Sequence, residues 1–245
     1  MRTPLPPNAA MRWSVVRRVV RRTAPATILE IGCGQGAFGT RLARAGQYLA
    51  VEPDPTSYRV ARSRIEPLGG EVRNALASDV EPGRSFDLVC AFEVVEHLED
   101  DRGAVESWRD LVAPGGSLLI SVPAWQDRFN HWDTMVGHYR RYSPAECRDV
   151  LTAAGFVDVD VIVYGWPLGY ATESIRSRLA ERRGQANEDA GNDSMAERTA
   201  SSGRQFQPKS LLGVAVQAAT APFCLLQRMA PHRGTGLVAV ARRAT

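Results

Sequence analysis

Short apolar runs alternate with helical patterns along most of the chain, and this alternation is typical of a parallel sheet covered by helices. One helix is predicted ahead of the first strand, because Val15, Val16, Val19 and Val20 form a single apolar stripe. We therefore predict an α/β fold with a doubly wound, seven-stranded, mostly parallel sheet and one antiparallel member near its edge. The apolar runs that predict its strands are 28–31, 48–52, 71–76, 86–92, 117–122, 157–163 and 237–241.

The connection between the last two predicted strands is far longer than an ordinary connection. Its first part is polar, and we expect Gln185 to Gly203 to be poorly ordered. Its second part, Leu211 to Met229, is apolar but broken by Pro222, which favours a helix over the catalytic face rather than a membrane span. The predicted organisation is a core with an N-terminal helix over 1–164, a partly disordered helical insertion that caps the substrate over 165–233, and a last core strand over 234–245.

Composition and charge narrow the class of protein. Of the 245 residues, 23% are charged and 44% hydrophobic, and the formal net charge is only +3. These values are typical of a globular protein, and so small a charge argues against nucleic acid as a partner. Four widely spaced cysteines are typical of buried thiols in a reducing cytoplasm, so a cytoplasmic protein is expected. The segment best suited to a membrane surface is 206–229.

A glycine-rich loop follows the first strand and opens a helix. It reads E-I-G-C-G-Q-G from Glu30 to Gly36, and its glycines let a ligand lie against bare backbone. Gly32, Gly34 and Ala37 also satisfy the dinucleotide-binding pattern. Glu52 ends the second strand, where either a nucleotide or a nucleoside cofactor would offer ribose hydroxyls. The loop alone therefore leaves an NAD(P)-dependent oxidoreductase open as an alternative.

Two further acids favour a sulfonium cofactor over a nicotinamide. Glu30 lies two residues before the first glycine, where an acid can face an ammonium group. Asp79 follows the third strand, where a carboxylate can accept a hydrogen bond from an adenine amine. Together with the turn at 114–116, this order of features resembles class I S-adenosylmethionine-dependent methyltransferases over 27–156 and in the last strand.

The resemblance implies a Rossmann-like methyltransferase with S-adenosylmethionine as cofactor. It implies that Glu30, Gly32 and Gly34 surround the methionine part, that Glu52 holds the ribose and that Asp79 lies near the adenine. Pro53 and Phe92 are expected against the flat faces of the cofactor. The predicted cofactor site consists of Glu30, Gly32, Gly34, Gly36, Glu52, Pro53, Asp79, Phe92 and Glu93.

A stretch of acids and a histidine follows the fourth strand. In a helical turn, Glu93, Glu96 and His97 would stand on one face and suit a divalent ion, with magnesium or manganese favoured by the oxygen ligands. This E-x-x-E-H stretch resembles the metal site of small-RNA 3′-end 2′-O-methyltransferases and the matching segment of ubiquinone-pathway O-methyltransferases. The resemblance implies His138 as the fourth metal ligand. The chain departs from the RNA enzymes because it lacks an RNA-binding extension and a strong basic face.

The segment after the fifth strand supplies the candidate catalytic residues, which are His138, His131 and Asp133. Without a metal, His138 is expected to act as a general base. Arg140 and Arg141 could clamp an anion, although pairing of at least one with a nearby acid is expected. Nearby aromatic residues are candidates for the walls of an acceptor pocket: Trp125, Phe129, Trp132, Tyr139 and Tyr142.

We therefore predict an S-adenosylmethionine-dependent methyltransferase that O-methylates a small or lipid-like hydroxylated acceptor, with metal assistance as a further hypothesis. Three alternatives stay open at this point. The first is N- or C-methylation in the same fold, and the second is an NAD(P)-dependent oxidoreductase. The third is a non-catalytic S-adenosylmethionine-binding subunit that docks a partner.

Overall fold

A seven-stranded sheet forms the centre of the structure, a computed structural model that describes residues 3–186 and 210–245. Its strands are β1 (Thr27–Ile31), β2 (Gln47–Val51), β3 (Glu71–Arg73), β4 (Phe86–Phe92), β5 (Val112–Pro123), β6 (Phe156–Gly165) and β7 (Gly234–Arg243). Their order across the sheet is β3-β2-β1-β4-β5-β7-β6, and only β7 runs antiparallel to its neighbours. The predicted α/β fold class is confirmed, including the antiparallel strand beside the edge.

Helices connect the strands and cover both faces of the sheet. They are α1 (Pro7–Thr23), α2 (Gly39–Leu42), α3 (Pro55–Ile65), α4 (Asp101–Trp108), α5 (His131–Val136), α6 (Pro144–Ala153), α7 (Leu168–Ala186) and α8 (Ser210–Leu226). Their starts follow from local chemistry: the Asp54 carboxylate accepts a hydrogen bond from the Ser57 amide at 2.9 Å ahead of α3. Ser143 and Glu146 form the capping box that the sequence predicts ahead of α6.

Successive side chains on the central strands point to opposite faces of the sheet, and the apolar ones form a hydrophobic core on each face. On one face the strands pack against α4 and α6, and on the other they pack against α1, α2 and α3. The apolar stripe predicted for the N-terminal helix is confirmed, because Val15, Val16, Val19 and Val20 are all buried. Helix α1 is therefore an integral layer of the fold, and its first turns reach the carboxyl edge of the sheet.

The insertion between β6 and β7 holds α7 and α8, but α8 lies elsewhere than predicted. It packs along α1, where Gln217 Oε1 accepts from the Leu5 amide at 2.9 Å. Just beyond it, Gln227 Nε2 donates to Ser14 Oγ at 2.7 Å. The predicted poorly ordered segment, Gln185 to Gly203, lies outside the described residues apart from its first two, which end α7. None of the described helices has the length and apolar character needed to cross a membrane.

Candidate active site

A cavity of about 1130 Å³ lies at the carboxyl ends of the parallel strands, where open α/β sheets bind their ligands. The glycine loop and the ends of β2 and β4 line one part of it. The start of α1, helix α5 and the first turns of α7 line the rest. The volume exceeds that of a pocket for one small molecule, so a cofactor and an acceptor fit together.

Two glycines of the loop give the cavity its backbone wall. Gly32 and Gly34 have φ angles of +68° and +54°, which side chains rarely adopt. A Cβ atom at Gly34 would meet no atom within 4 Å, so this position faces open space in the cavity. Gly36 does not line the cavity as predicted, because it packs against α3, where an added Cβ would lie 2.7 Å from Ile65 Cδ1.

Glu30 contributes a buried carboxyl group to the cavity. The side chain is only 2% exposed, and the Tyr48 hydroxyl donates a hydrogen bond to it. Burial raises the pKa of Glu30 to about 8, against the smaller lowering effects of the Tyr48 hydrogen bond and the Arg12 charge. The carboxyl group is therefore mostly protonated at neutral pH and ready to ionise when a cation approaches.

The end of β2 brings Glu52 and Pro53 to the cavity as predicted, but β3 does not bring Asp79 there. One oxygen of Glu52 accepts from the Gly34 amide at 2.7 Å and the other from the Asp54 amide at 3.0 Å. Asp79 is exposed, and its carboxylate accepts from the Leu76 amide at 2.8 Å within its own turn. Strand β3 ends at Arg73, and residues 75–78 of the turn after it line the cavity instead.

Phe92 and Glu93 line the cavity at the end of β4, and Glu93 is already paired. Arg12 Nη1 of α1 lies 2.6 Å from Glu93 Oε1, and the Ser121 hydroxyl donates to the same oxygen at 3.1 Å. Burial raises the pKa of Glu93, but the charges of Arg12 and His138 and the hydrogen bonds from Arg12 and Ser121 together lower it further, so the net shift is downward. Glu93 is therefore held as a carboxylate by a residue that the sequence analysis did not single out.

Glu96, His97 and His138 meet at one point beside the cavity. Ligand atoms of the three lie within 4.8 Å of one another, and the two imidazole rings stack edge to face at 4.6 Å. Glu96 is fully buried, and neither of its carboxyl oxygens has a hydrogen-bond partner among the other described residues. Orphaned buried oxygens beside two imidazoles fit a divalent cation. Of the four predicted metal ligands, Glu93 lies outside this group because Arg12 engages it.

Asp133 orients His138. Its Oδ1 lies 2.7 Å from His138 Nδ1, which leaves Nε2 of the ring facing Glu96 at 3.9 Å. Burial raises the pKa of Asp133, but the hydrogen bonds from His138 and Arg141 lower it further, to about 2. Arg141 Nη2 also donates to Asp133 Oδ2 at 2.7 Å, and its Nη1 pairs with Glu173 of α7. A charged network thus fixes the histidine and joins α5 to α7.

Several other predicted residues lie away from the chemistry. His131 is exposed at the first position of α5 and does not line the cavity, so the structure does not support it as catalytic. Arg140 pairs with Asp101 at 2.9 Å, so both predicted arginines are engaged by acids. Of the five predicted aromatic residues, Trp132 and Tyr139 line the cavity.

The cavity also contains residues that sequence reasoning missed, which are Arg12, Tyr164, Glu173 and Arg176. Arg12 stands in an arginine-rich segment without a distinguishing pattern. Glu173 and Arg176 are spaced i, i+3 in a stretch that the sequence analysis treated only as a polar part of the cap. The role of Glu173 depends on Arg141, which follows α5, and that of Arg176 depends on Trp132 of α5; both partners are distant in sequence.

The sheet order and the cavity at its carboxyl edge define the fold of class I S-adenosylmethionine-dependent methyltransferases. A family model described as "Methyltransferase domain" matches residues 9–161, which is more than half of the chain. The chain belongs to this methyltransferase family.

Similar sequences include O-methyltransferases. The ubiquinone biosynthesis O-methyltransferase of Methylobacterium sp. (strain 4-46) is 40% identical over 100 residues, which cover 39% of this chain and 40% of the relative. That of Methylobacterium nodulans is 31% identical over 168 residues, 58% of this chain and 65% of the relative. A probable S-adenosylmethionine-dependent methyltransferase of Mycobacterium tuberculosis is 33% identical over 150 residues, 59% and 54% respectively. The chain thus matches 40 to 65% of the length of these relatives.

Solved structures support the fold at low sequence identity. The YcgJ protein of Bacillus subtilis matches 96% of this chain and 99% of its own, with a TM-score of 0.62 and 16% identity. Phosphoethanolamine N-methyltransferase 2 of Haemonchus contortus matches 95% of this chain and 53% of its own, with a TM-score of 0.59 and 17% identity. These likenesses concern the fold alone.

Replacing Arg141 by Met should lower the free energy of unfolding by about 3–5 kcal/mol, because the buried Asp133 carboxylate would lose its guanidinium partner and Glu173 would keep only Arg128. Arg140→Met is the matched control, since its ion pair with Asp101 is partly exposed and should contribute about 1 kcal/mol or less. Urea unfolding followed by circular dichroism measures both. An equal decrease in the free energy of unfolding in the two variants would contradict the conclusion that the Arg141 network stabilises the fold more than the Arg140 ion pair does.

Proposed function

We propose that the protein transfers the methyl group of S-adenosylmethionine to a hydroxyl group of a small, lipid-like acceptor. The observation that carries the proposal is a single cavity in which the glycine loop and Glu52 share one space with the Asp133–His138 pair. The O-methyltransferases among the similar sequences support a hydroxyl acceptor over the alternatives of N- or C-methylation. Family membership and Glu30 beside the loop favour a methyltransferase over an oxidoreductase.

In this proposal, the chain holds the cofactor at the glycine-loop end of the cavity. Glu30 faces the ammonium group of the methionine part, Gly32 and Gly34 give it a flat backbone surface, and Glu52 accepts from the ribose hydroxyls. Pro53 and Phe92 contact the flat parts of the cofactor, and residues 75–78 take the place beside the adenine that was predicted for Asp79. When bound, S-adenosylmethionine supplies an electrophilic methyl carbon.

His138 is the group best placed to take a proton from the acceptor hydroxyl. Its Nδ1 donates to Asp133 in the tautomer we propose, so Nε2 has a free lone pair for the hydroxyl proton. With the proton held by Nε2, the acceptor oxygen would be free to attack the methyl carbon, and the C–S bond would break with its electron pair going to the sulfur of S-adenosylhomocysteine, the leaving group. Helix α7, which lines the cavity through Glu173 and Arg176, limits access of water to this end.

The orphaned oxygens of Glu96 support metal assistance as a second version of the same function. Glu96, His97 and His138 would hold a magnesium or manganese ion, and such an ion would acidify an acceptor hydroxyl. In this version, Asp133 orients His138 as a metal ligand rather than as a base.

We also propose where the enzyme acts: in the cytoplasm and in contact with a lipid surface. Within 206–229, Leu225 and Met229 are 62% and 77% exposed, which supports contact of this segment with a lipid surface that carries the acceptor. All four cysteines are unpaired, which supports a reducing, cytoplasmic setting.

Gly34→Val should abolish binding of S-adenosylhomocysteine, because the new side chain would project into the space proposed for the cofactor. Gly69→Val is the matched control: this glycine also has a positive φ angle and open space around it, but it does not line the cavity. Isothermal titration calorimetry should detect ligand binding by the control and none by Gly34→Val. Equal binding by both variants would remove the glycine loop from the cofactor site.

Binding of S-adenosylhomocysteine at pH 7 should release a proton from Glu30. The pKa of Glu30 is about 8 in the free protein, and an adjacent ammonium group favours the carboxylate, so the affinity should rise with pH and level off above about 8. Calorimetry in buffers of different ionisation enthalpy measures the proton release. Glu30→Gln should remove it, and an unchanged release in that variant would show that Glu30 does not face the ligand.

Wild-type protein should bind Mn²⁺, and His138→Ala should weaken that binding more than about tenfold through loss of a ligand. His131→Ala is the matched control, because His131 is exposed outside the cavity and should leave the affinity unchanged. Electron paramagnetic resonance of free Mn²⁺ measures the affinities. If the wild type does not bind millimolar Mn²⁺, metal assistance fails and His138 is left as the general base.

A further inference from the structure

Arg176 of α7 is a cavity residue that forms no ion pair with any acid of the described residues. It lines the cavity, and its Nε atom is shielded from solvent and has no hydrogen-bond partner among the described residues. Its guanidinium carbon lies 5.4 Å from the centre of the Trp132 ring, which holds the group in place by a cation–π contact. A shielded cationic donor that lacks an acceptor within the protein is expected to find one in a ligand.

The other arginines around the cavity are already neutralised. Arg12 pairs with Glu93, and Arg141 pairs with both Asp133 and Glu173. Glu173, three residues before Arg176 on the same helix, is occupied by Arg141 and Arg128. Among the cavity arginines of the described chain, Arg176 therefore has its charge available for a ligand.

The position of Arg176 places this charge at the acceptor end rather than the cofactor end. Its cation–π partner, Trp132, directly precedes Asp133, the residue that holds His138. Glu173, which lies one turn before Arg176 on α7, pairs with Arg141, the residue that also holds Asp133.

We propose that Arg176 binds an anionic group of the methyl acceptor, either a carboxylate or a phosphate ester. A guanidinium group presents paired donors that match both oxyanions, and a ligand oxyanion would also accept from the orphaned Nε atom. The inference rests on the proposed function, and it narrows the acceptor to a hydroxylated molecule that carries a negative charge within reach of Arg176.

The test is calorimetry on protein saturated with S-adenosylhomocysteine, with three probes. Two probes are anionic, 3,4-dihydroxybenzoate and phenyl phosphate, and the third, 3,4-dihydroxybenzamide, is the neutral counterpart of the first. Arg176→Gln should bind the preferred anionic probe at least tenfold more weakly than wild type and the neutral probe equally well. Arg178→Gln, an exposed arginine on the same helix, is the matched control and should change neither. The preferred anion separates a carboxylate acceptor from a phosphate ester.

The outcomes distinguish this inference from the function on which it rests. Failure of the wild type to bind S-adenosylhomocysteine would overturn the proposed function itself. Normal cofactor binding with no binding of either anion, or with equal weakening of the neutral probe in Arg176→Gln, would overturn the anion site alone. If Arg176→Gln does not fold, Arg176→Lys replaces it. Loss of the paired donors should then weaken dihydroxybenzoate binding while the benzamide stays unaffected, and any other result contradicts the inference.

Discussion

The buried carboxylate of Asp133 is the group on which the part of the cavity lined by α5 and α7 depends. It accepts from the Asn130 amide at the start of α5, from His138 and from Arg141 at the same time. Arg141 in turn reaches Glu173, so a single buried carboxylate ties the α5 loop to the α7 insertion. An isolated charge at full burial is costly, and these partners offset that cost only while all of them stay in place. The position of His138 therefore depends on this network.

Different interactions shape the two ends of the cavity. At the glycine loop, positive φ angles and an open position at Gly34 provide space and bare backbone, and burial keeps Glu30 neutral until a cation arrives. At the other end, paired charges hold side chains in fixed positions. The first arrangement suits recognition of a zwitterionic cofactor, and the second suits repeated proton transfer or metal binding without movement of the protein.

The sequence predicts well what depends on local pattern. Most strand positions, the apolar stripe of α1 and the capping box of α6 follow from spacing over a few residues, and the structure agrees with them; the third strand, predicted over 71–76, ends three residues early at Arg73. The prediction that Asp79 lines the cavity is wrong for a local reason. Strand β3 ends at Arg73, and the Asp79 carboxylate caps the short turn that follows by accepting a hydrogen bond from the Leu76 amide. An apolar segment can predict α8, but not that α1 provides its partner surface.

Residues whose role depends on a distant partner could not be predicted. Arg12 and Arg176 differ from other arginines of the chain only through what they meet across the fold, and His138 differs from His131 only through the turn that points it at Asp133. Such residues can be recognised only in the folded structure, where α1, α5 and α7 lie at the same edge of the sheet.

The conclusion on which the proposed function depends is that the carboxyl edge of the sheet binds a sulfonium cofactor and not a nicotinamide. Competitive calorimetry of the wild-type protein with S-adenosylhomocysteine and with NAD tests it most directly, since both ligands would use the same loop. We expect micromolar binding of S-adenosylhomocysteine and no displacement of it by millimolar NAD. Tighter binding of NAD, with S-adenosylhomocysteine unable to compete, would show that the glycine loop binds a nicotinamide cofactor instead.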